Sequence, residues 1–398
     1  MPVPASMRHI LPLALTLFAC QMQVFGLGSR IPNQDATAIG RGNAFVATAD
    51  NPSAMYYNPA GITQLEGQNF QVGSLFYLGI DADYESPSGA SVKNNRYVIP
   101  VPQMGYVYTP ESVPLSFGLG VYAPFGLGME WPDNAPFASA GIQANITYIT
   151  INPVVAWKIL PCLSIAVGPT FNYSDAKLRQ QVVAPPIQLR FTGSDWAYGY
   201  NAGILWQPLQ QWSFGAKYFS QTSFDYKGDA SFNPQAPGLP APFDTKAHLD
   251  FPMIVAGGVS FRPTPDWNIE VDVDWTEWDR VKTVVIDNVG VLPLYWQSSF
   301  FYEFGVTRQL GGGYFASVGY FFSQASTPDK YFTPLVPDTD LHVGSLGFGY
   351  KGGHWDFALA SQIIGGGWRT VTDAANPTVD GRWRLFTPTL SVSVGYHF

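Results

Sequence analysis

The chain has 398 residues, a net charge of −8, and only 13% charged but 15% aromatic residues. So little charge is unusual for a large soluble surface, which disfavours a soluble β-sandwich or propeller. Beyond residue 20 no run of about 18 apolar residues occurs, which excludes membrane-spanning helices. The sequence contains no cluster of Lys and Arg residues, which disfavours a nucleic-acid partner. The composition favours a barrel whose strands alternate lipid-facing with lumen-facing side chains.

Residues 1–26 are predicted to be a signal peptide, because Arg8 precedes the apolar run 10–19. This run is too short to cross a bilayer as a helix. The string that ends at Cys20 also resembles a lipoprotein signal, and this alternative stays open. Once such a leader is removed, Cys162 is the remaining cysteine, which suits a protein that crosses an oxidising periplasm.

Residues 27–66 lack strand alternation and are rich in small residues and turn formers. Asp35 is predicted to cap a short helix that runs through Ala47. Asn58 followed by Pro59 fits a second helix start. A wide barrel is not filled by its own inward side chains, so we expect this segment to plug the lumen as a hatch.

Residues 67–398 predict an all-β fold, a 14-stranded antiparallel transmembrane β-barrel. In 267–275 apolar and polar residues alternate strictly, which separates two faces on a strand but not on a helix. Short turns alternate with longer loops, as a barrel with periplasmic turns and extracellular loops requires. The predicted strands are 67–81, 95–109, 114–123, 146–158, 162–176, 195–207, 211–227, 246–262, 267–281, 296–308, 313–323, 341–350, 354–364 and 385–398.

Aromatic residues near the strand ends are typical of the belts that anchor barrels at the headgroup level, although ordinary core positions are the alternative. The last strand closes on Phe398, a feature of outer-membrane barrels that indicates the barrel-assembly machinery as a partner. The tryptophans in question are Trp157, Trp206, Trp212, Trp267, Trp275, Trp296 and Trp355.

A long apolar loop is predicted over residues 123–142. An exposed apolar loop is costly unless it meets something hydrophobic. We therefore expect either a groove that collects an amphipathic ligand or a lid whose side chains pack on each other. The candidate ligand-collecting residues are Phe125, Leu127, Met129, Trp131 and Phe137.

Four acidic residues share the inward phase of consecutive predicted strands: Glu270, Asp272, Asp274 and Glu303. One interpretation is a polar contact to the hatch, or part of a gate. The interpretation we favour is a solvated wall whose charges pair with Arg30, Arg41 or Lys217. An ion pair to the hatch is compatible with both.

No catalytic constellation is apparent, and we predict no enzymatic activity, no cofactor and no metal. The histidines do not follow a metal-ligand spacing. His342 near Ser345 is the one pair that a barrel phospholipase would need, and we disfavour it. The five histidines are His9, His248, His342, His354 and His397.

Three motifs of the N-terminal segment resemble those of a known family: Gly40–Ala44, Asp50 ahead of Asn51–Ala54, and Tyr57–Gly61. They are similar to the hatch of FadL-type outer-membrane transporters for long-chain fatty acids and other hydrophobic compounds. Looser similarities extend the resemblance across the mature chain, at Tyr122–Gly126, Trp275–Trp278 and Pro337–Asp340.

The resemblance implies a fourteen-stranded barrel and a hatch motif formed here by Asn58, Pro59, Ala60 and Gly61. It also implies a kinked third strand with a lateral opening, for which Gly118 and Gly120 are candidates.

From the resemblance we expect passive uptake of hydrophobic molecules, foremost long-chain fatty acids, across the outer membrane of a Gram-negative-type bacterium. The hatch would rearrange to release the ligand, and outer-membrane lipid would surround the barrel. The alternatives are a polar-solute porin, which predicts constriction rings and no hatch, and a surface receptor or adhesin barrel. An outer-membrane enzyme is a more distant alternative.

Overall fold

A computed structural model describes residues 29–182 and 187–398. The predicted signal peptide and Cys20 lie outside these residues. The chain forms a closed antiparallel barrel of 14 strands, with a few short helices near its N-terminus, as the alternation pattern predicts. None of the helices in the described residues is both long and apolar enough to cross a membrane.

Several of the fourteen strands are interrupted, so that they appear as 22 segments. In chain order the segments are β1 (Gly67–Leu78), β2 (Asp81–Glu85), β3 (Ser91–Lys93), β4 (Val98–Thr109), β5 (Leu115–Tyr122), β6 (Gly126–Glu130), β7 (Gln143–Leu160), β8 (Leu163–Gln181), β9 (Gln188–Leu209), β10 (Trp212–Phe219), β11 (Thr222–Asn233), β12 (Phe243–Phe251), β13 (Ile254–Phe261), β14 (Trp267–Thr276), β15 (Thr283–Ile286), β16 (Gly290–Pro293), β17 (Ser299–Gly311), β18 (Tyr314–Ser323), β19 (Leu341–Gly352), β20 (Trp355–Gly366), β21 (Arg369–Val371) and β22 (Gly381–His397).

The ring runs β1, β4, β5, β7, β8, β9, β10, β13, β14, β17, β18, β19, β20 and β22. It closes because β22 pairs with β1, with Val394 opposite Val72. Closure joins the first and last strands of the ring, which a barrel needs because lipid offers no hydrogen-bond partners.

The third strand is broken between β5 and β6, at residues 123–125. β5 pairs with β4 on one side and β7 on the other, whereas β6 pairs with β7. The break therefore lies beyond Gly118 and Gly120, the expected kink positions. A side chain at Gly118 would meet the sulfur of Met55 at 2.6 Å, so this glycine makes room for the segment inside the barrel.

The two faces of β14 confirm the predicted alternation. Glu270, Asp272 and Asp274 are at most 2% exposed, whereas Val271 and Val273 are 51% and 41% exposed on the outer face. Half-exposed outward tryptophans such as Trp157 fit the expected aromatic belts. Trp296 does not, because it is buried inside the molecule.

Residues 29–66 lie inside the barrel and contain two helical turns, α1 (Ala36–Gly40) and α2 (Ala54–Tyr57). Asp35 caps α1 as predicted, because its Oδ2 accepts a hydrogen bond from the Thr37 backbone N–H at 3.1 Å. The helix ends at Gly40, well before Ala47, because Gly42 and Asn43 take left-handed φ angles of 65° and 63°.

A 3-10 helix follows at Pro59–Gln64, with the Asn58 side chain accepting from the Ala60 N–H, as the sequence predicts. Further single 3-10 turns occur in the long connections, at Trp278–Arg280, Asp329–Tyr331 and Pro377–Val379.

Candidate functional site

The lumen has two layers, which we call the hatch, residues 29–66, and the apolar pocket between the hatch and the long-loop end of the barrel. The hatch contacts the inward faces of strands from most of the ring. The two layers are held by different kinds of interaction.

The acidic side chains of β14 bind the backbone of the hatch. Asp272 Oδ2 accepts hydrogen bonds from the N–H groups of Phe45 and Val46, at 2.7 and 2.8 Å. Glu270 Oε1 accepts from the N–H groups of Ala47 and Thr48, at 2.7 and 3.2 Å. Two side chains thus hold four consecutive backbone N–H groups, which fixes the turn formed by residues 45–48.

Two hatch arginines pair with the same row of carboxylates. Arg30 Nη1 donates to Asp274 Oδ1 at 2.7 Å, and the other guanidinium nitrogen binds the second carboxylate oxygen. Arg41 Nη2 donates to Glu270 Oε2 at 3.1 Å. All four side chains are at most 3% exposed. Breaking one such buried pair leaves an uncompensated charge, which is strongly destabilising.

Glu303 and Lys217 complete the buried charges around Arg30. Glu303 lies opposite Asp272 across the β14–β17 pair and is 4% exposed, and among the described residues it accepts no hydrogen bond. The Lys217 Nζ lies 3.9 Å from Asp274 Oδ2 and 4.4 Å above the Tyr56 ring. The expected partners of the acidic patch are thus present, but the patch is buried against the hatch and is not a solvated wall.

The Asn58 side chain connects two parts of the hatch to the wall. Its Nδ2 donates to the Val46 carbonyl at 2.8 Å and to the Ile204 carbonyl of β9 at 3.0 Å. Next to it, a Cβ atom on Gly61 would lie 2.2 Å from the Ala49 carbonyl oxygen. The motif Asn58–Gly61 therefore requires an amide at its first position and glycine at its last.

Asp35 ties α1 to the turn that precedes α2 and to the first strand. Its carboxylate accepts from Asn51 Nδ2 at 2.9 Å and from Gln71 Nε2 of β1 at 2.7 Å. Burial raises the pKa of the Asp35 carboxyl, which the hydrogen bond from Asn51 opposes. Burial also acts to raise the pKa of Asp50, but the nearby Lys351 ammonium holds it below its usual range.

Glycines of the wall allow the hatch backbone to approach closely. A Cβ atom at Gly215 would lie 2.1 Å from the Val46 carbonyl oxygen, and one at Gly319 would lie 2.1 Å from the Arg41 carbonyl carbon. Gly203, Gly305 and Gly347 show comparable contacts with the hatch. These glycines lie on five different strands, so the wall is shaped to fit the hatch on several sides.

The apolar pocket has about 790 Å³ of empty space, its open mouth included. Its aromatic lining residues are Phe191, Tyr226, Phe251, Trp278 and Trp296. Its aliphatic lining residues include Leu127, Ile146, Leu178, Leu249, Val281, Ile286, Leu294, Leu335 and Val336.

Two charged residues border this pocket, but alternation places their side chains on the outer face of the wall. Lys177 lies between Ala176 and Leu178, which pack towards the core, and Asp250 lies between buried Leu249 and Phe251. The interior of the pocket therefore presents almost no polar group to a ligand.

Residues 17–356 match a protein-family model described as "Outer membrane protein transport protein (OMPP1/FadL/TodX)". The chain belongs to this family. It is an outer-membrane transporter of hydrophobic compounds and not an enzyme.

Individual relatives of this FadL/TodX-family transporter are distant. The long-chain fatty acid transport protein of Escherichia coli (strain K12) is 23% identical over 396 residues, covering 85% of this chain and 87% of that protein. A solved Pseudomonas aeruginosa FadL homologue superposes with a TM-score of 0.80 at 18% identity, covering 93% and 99% of the two chains. The Ralstonia pickettii toluene transporter TbuX gives 0.71 at 16% identity, covering 92% and 99%. At these identities the structures show a shared fold.

The apolar loop of the transporter is not exposed, which fits the second of its two alternatives, a lid whose side chains pack on each other. Its five large side chains are at most 5% exposed. Phe125 and Leu127 face the lumen, and Leu127 lines the pocket. Trp131 and Phe137 pack on each other with ring centroids 5.0 Å apart, and Met129 is fully buried. Ligand contact by this loop remains a prediction.

The break in the third strand is occupied by the start of the hatch. Ile31 N–H donates to the Pro124 carbonyl at 2.8 Å, and Gly126 N–H donates to the Ser29 carbonyl at 2.7 Å. The hatch thus forms an antiparallel bridge, Arg30 opposite Phe125, where the wall is interrupted. No motif of residues 29–31 signals this pairing, so sequence reasoning missed it.

Sequence reasoning also missed the contribution of residues 281–296 and 333–336 to the pocket. These residues are in long connections with little alternation, and a pocket wall assembled from distant connections leaves no local pattern. His342 and Ser345 do not form a pair: the His342 ring contacts the Tyr320 hydroxyl at 2.6 Å, whereas Ser345 bonds Gln362. Among the described residues, no group of three metal-ligating side chains is assembled.

Proposed function

We propose that the protein takes up long-chain fatty acids passively, through the apolar pocket and past the hatch. The observation that supports this most is the pocket itself, an apolar space lined by inward side chains of several strands and by the long connections, with Ser29 of the hatch at its edge. Burial of an alkyl chain is favourable in proportion to the apolar area removed from water, by about 25 cal/mol per Å². Entry of a long alkyl chain into the pocket is therefore favourable without an energy source.

The carboxylate of a fatty acid has to stay near water or meet a cation, because an unpaired buried charge is very costly. The inward pocket lining offers no cation, so we place the carboxylate at the mouth. Val281 lines the pocket, and its neighbours Arg280 and Lys282 are both exposed. These two cations are our candidates for the carboxylate contact.

The same absence of an inward cation favours a second candidate, a neutral aromatic hydrocarbon. Such a ligand has no charge to satisfy, and the aromatic lining offers ring contacts with Phe251 and Trp278. The substitution Arg280→Ala together with Lys282→Ala separates the candidates. If the ligand is a fatty acid whose carboxylate lies at the mouth, the double substitution weakens binding of oleate and leaves binding of toluene unchanged.

A charge placed inside the pocket tests the transport route itself. Phe191→Asp puts a carboxylate among apolar side chains, and Thr192→Asp puts the same group on the exposed outer face one residue later. In cells that depend on this protein, the first variant loses uptake of labelled oleate and toluene, and the second keeps it. Equal uptake by both variants would contradict the route through the pocket.

We further propose that the ligand leaves when the hatch moves away from the broken third strand. The gap at residues 123–125 is filled by the hatch residues 29–31, whose displacement would open the wall toward the lipid. A disulfide that joins the hatch to β14 is expected to stop uptake under oxidising conditions and to restore it on reduction.

A polar-solute porin is disfavoured by the well-bonded hatch, and the planar-bilayer conductance of the purified protein tests this directly. A large steady conductance would support the porin. We retain outer-membrane lipid and the barrel-assembly machinery as proposed partners, for the exposed outer face and the terminal strand respectively.

A further inference from the structure

The connection between β18 and β19, residues 324–340, covers the apolar pocket. Leu335 and Val336 extend from its middle into the pocket lining and are 4% and 5% exposed. The segment is not part of the barrel sheet: its pairing within the described residues is a single bridge between Thr333 and Val336. Three prolines, at positions 328, 334 and 337, limit its internal flexibility.

One side chain outside the segment holds it in place. Arg369, on the three-residue strand β21, donates hydrogen bonds to the Thr327 hydroxyl and carbonyl at 2.9 and 2.6 Å. It also donates to the Asp338 carbonyl at 2.8 Å and twice to Asp329 Oδ1, at 3.1 and 2.6 Å. A guanidinium has five N–H donors, so every donor of Arg369 is spent on this one segment.

The Arg369 contacts bring together the two ends of the segment. Thr327 and Asp329 belong to its start, and Asp338 belongs to its end. The Asp338 carboxylate adds a second link, because it accepts from the Ser326 N–H and hydroxyl and from the Thr327 N–H at 3.1 Å. The middle of the segment is thereby presented to the pocket as a preformed loop.

Few other polar contacts restrain the segment. Trp131 Nε1 donates to the Pro334 carbonyl at 2.8 Å, and backbone N–H groups of Gln297 and Ala375 donate to the carbonyls of Ser326 and Lys330. Apolar contacts complete its packing: Phe332 lies against Trp383 with ring centroids 5.0 Å apart, and Leu335 and Val336 enter the pocket. Among the described residues outside the segment, Arg369 makes the most hydrogen bonds to it.

We infer that residues 324–340 are a lid on the ligand pocket and that Arg369 is its latch, which sets how fast a hydrophobic ligand enters and leaves. The inference rests on the proposed function, because it assigns the pocket to the ligand. A latch that holds the closed lid slows both entry and exit. It has little effect on the equilibrium affinity, since the same pocket is occupied at the end.

The test measures binding kinetics of cis-parinaric acid, an intrinsically fluorescent fatty acid, to the refolded full chain in detergent. Arg369→Ala is expected to raise the association and dissociation rates together, by about tenfold, because several charge-assisted hydrogen bonds are lost. The control is Arg382→Ala. Arg382 is a nearby exposed arginine that pairs with Glu85 at 3.2 Å and stacks on Trp368. This control leaves both rates unchanged.

A second readout, hydrogen exchange of residues 326–338 without ligand, shows whether Arg369 holds the segment. Faster exchange with unchanged binding rates would overturn the lid, and unchanged exchange would overturn the latch. If neither the natural chain nor Arg369→Ala binds the probe, the proposed function fails and the lid with it. Should Arg369→Ala not fold, Asp338→Asn keeps all Arg369 contacts, weakens the second link and is expected to raise both rates less.

Discussion

The hatch layer and the apolar pocket occupy the same lumen, but they are built on opposite interactions. In the hatch layer, directional hydrogen bonds and buried ion pairs, such as Asp272 with the 45–46 backbone and Asp274 with Arg30, fix one position. In the pocket, apolar side chains offer contact without direction. The comparison teaches that the chain specifies the position of its plug tightly and the identity of its ligand loosely.

The largest effect on hatch stability is expected from removing the buried carboxylate of Asp274. Asp274→Ala leaves Arg30 buried and unpaired, which destabilises the docked hatch by about 3–5 kcal/mol. Hydrogen exchange of residues 29–48 measures the free energy of local opening, and planar-bilayer conductance reports whether the lumen opens. The barrel of Asp274→Ala is expected to remain folded, which its resistance to thermal unfolding in detergent would show.

The double variant Arg30→Met with Asp274→Leu is the matched control for that experiment. Apolar replacement of both partners leaves no unpaired guanidinium, while Lys217 loses Asp274 in both variants, so the hatch is expected to lose less stability than in Asp274→Ala. Equal exchange rates in the single and double variants would show that the ion pair does not hold the hatch.

A somewhat smaller effect is expected from filling the space that a wall glycine leaves. Gly215→Val places a side chain against the Val46 carbonyl, where a Cβ atom alone would approach to 2.1 Å. Overpacking of this kind costs about 1–3 kcal/mol. The control is Gly344→Val, since no atom lies within 4 Å of a Cβ atom there. If both variants show the natural rate of hatch exchange, the hatch does not depend on close approach to the wall.

Asn58→Ala should have an effect similar to or below that of the glycine variant. It removes two donors to the Val46 and Ile204 carbonyls and the acceptor for Ala60, at about 1–3 kcal/mol for the groups left unsatisfied. Asn58→Asp keeps the acceptor and loses the donors, so its hatch exchange should also be faster than in the natural chain. A natural exchange rate in Asn58→Asp would show that the two donor bonds are dispensable.

The barrel was predictable because its signal is local and repeated. Each strand shows a period of two, and the 267–275 pattern alone places Glu270, Asp272 and Asp274 on the inner face. The Asn58 cap was predictable for the same reason, since an Asn-Pro pair acts within a few residues. Local rules suffice wherever the interaction partners are neighbours in sequence.

The partners across the lumen were not predictable in detail. Arg30 and Asp274 are 244 positions apart, and nothing in the sequence distinguishes Arg30 from other arginines as the partner of Asp274. The apolar loop misled for a related reason. Phe125 and Trp131 look exposed in a long connection, but other long connections cover them, and the Trp131 indole binds the Pro334 carbonyl of one of these. Burial by distant loops leaves no mark in the local pattern.

The smallest effect on hatch stability is expected from a substitution in the apolar pocket. Leu249→Ala removes part of the apolar lining at a site that already borders empty space, so hatch exchange should stay at its natural rate. Binding of oleate should weaken by about tenfold, since one or a few methylene contacts are worth roughly 1–3 kcal/mol. Titration calorimetry measures the affinity, and Lys246→Ala, on the exposed outer face of the same strand, is the control. A change in hatch exchange in Leu249→Ala would mean that the two layers are coupled, so that the pocket helps to hold the plug.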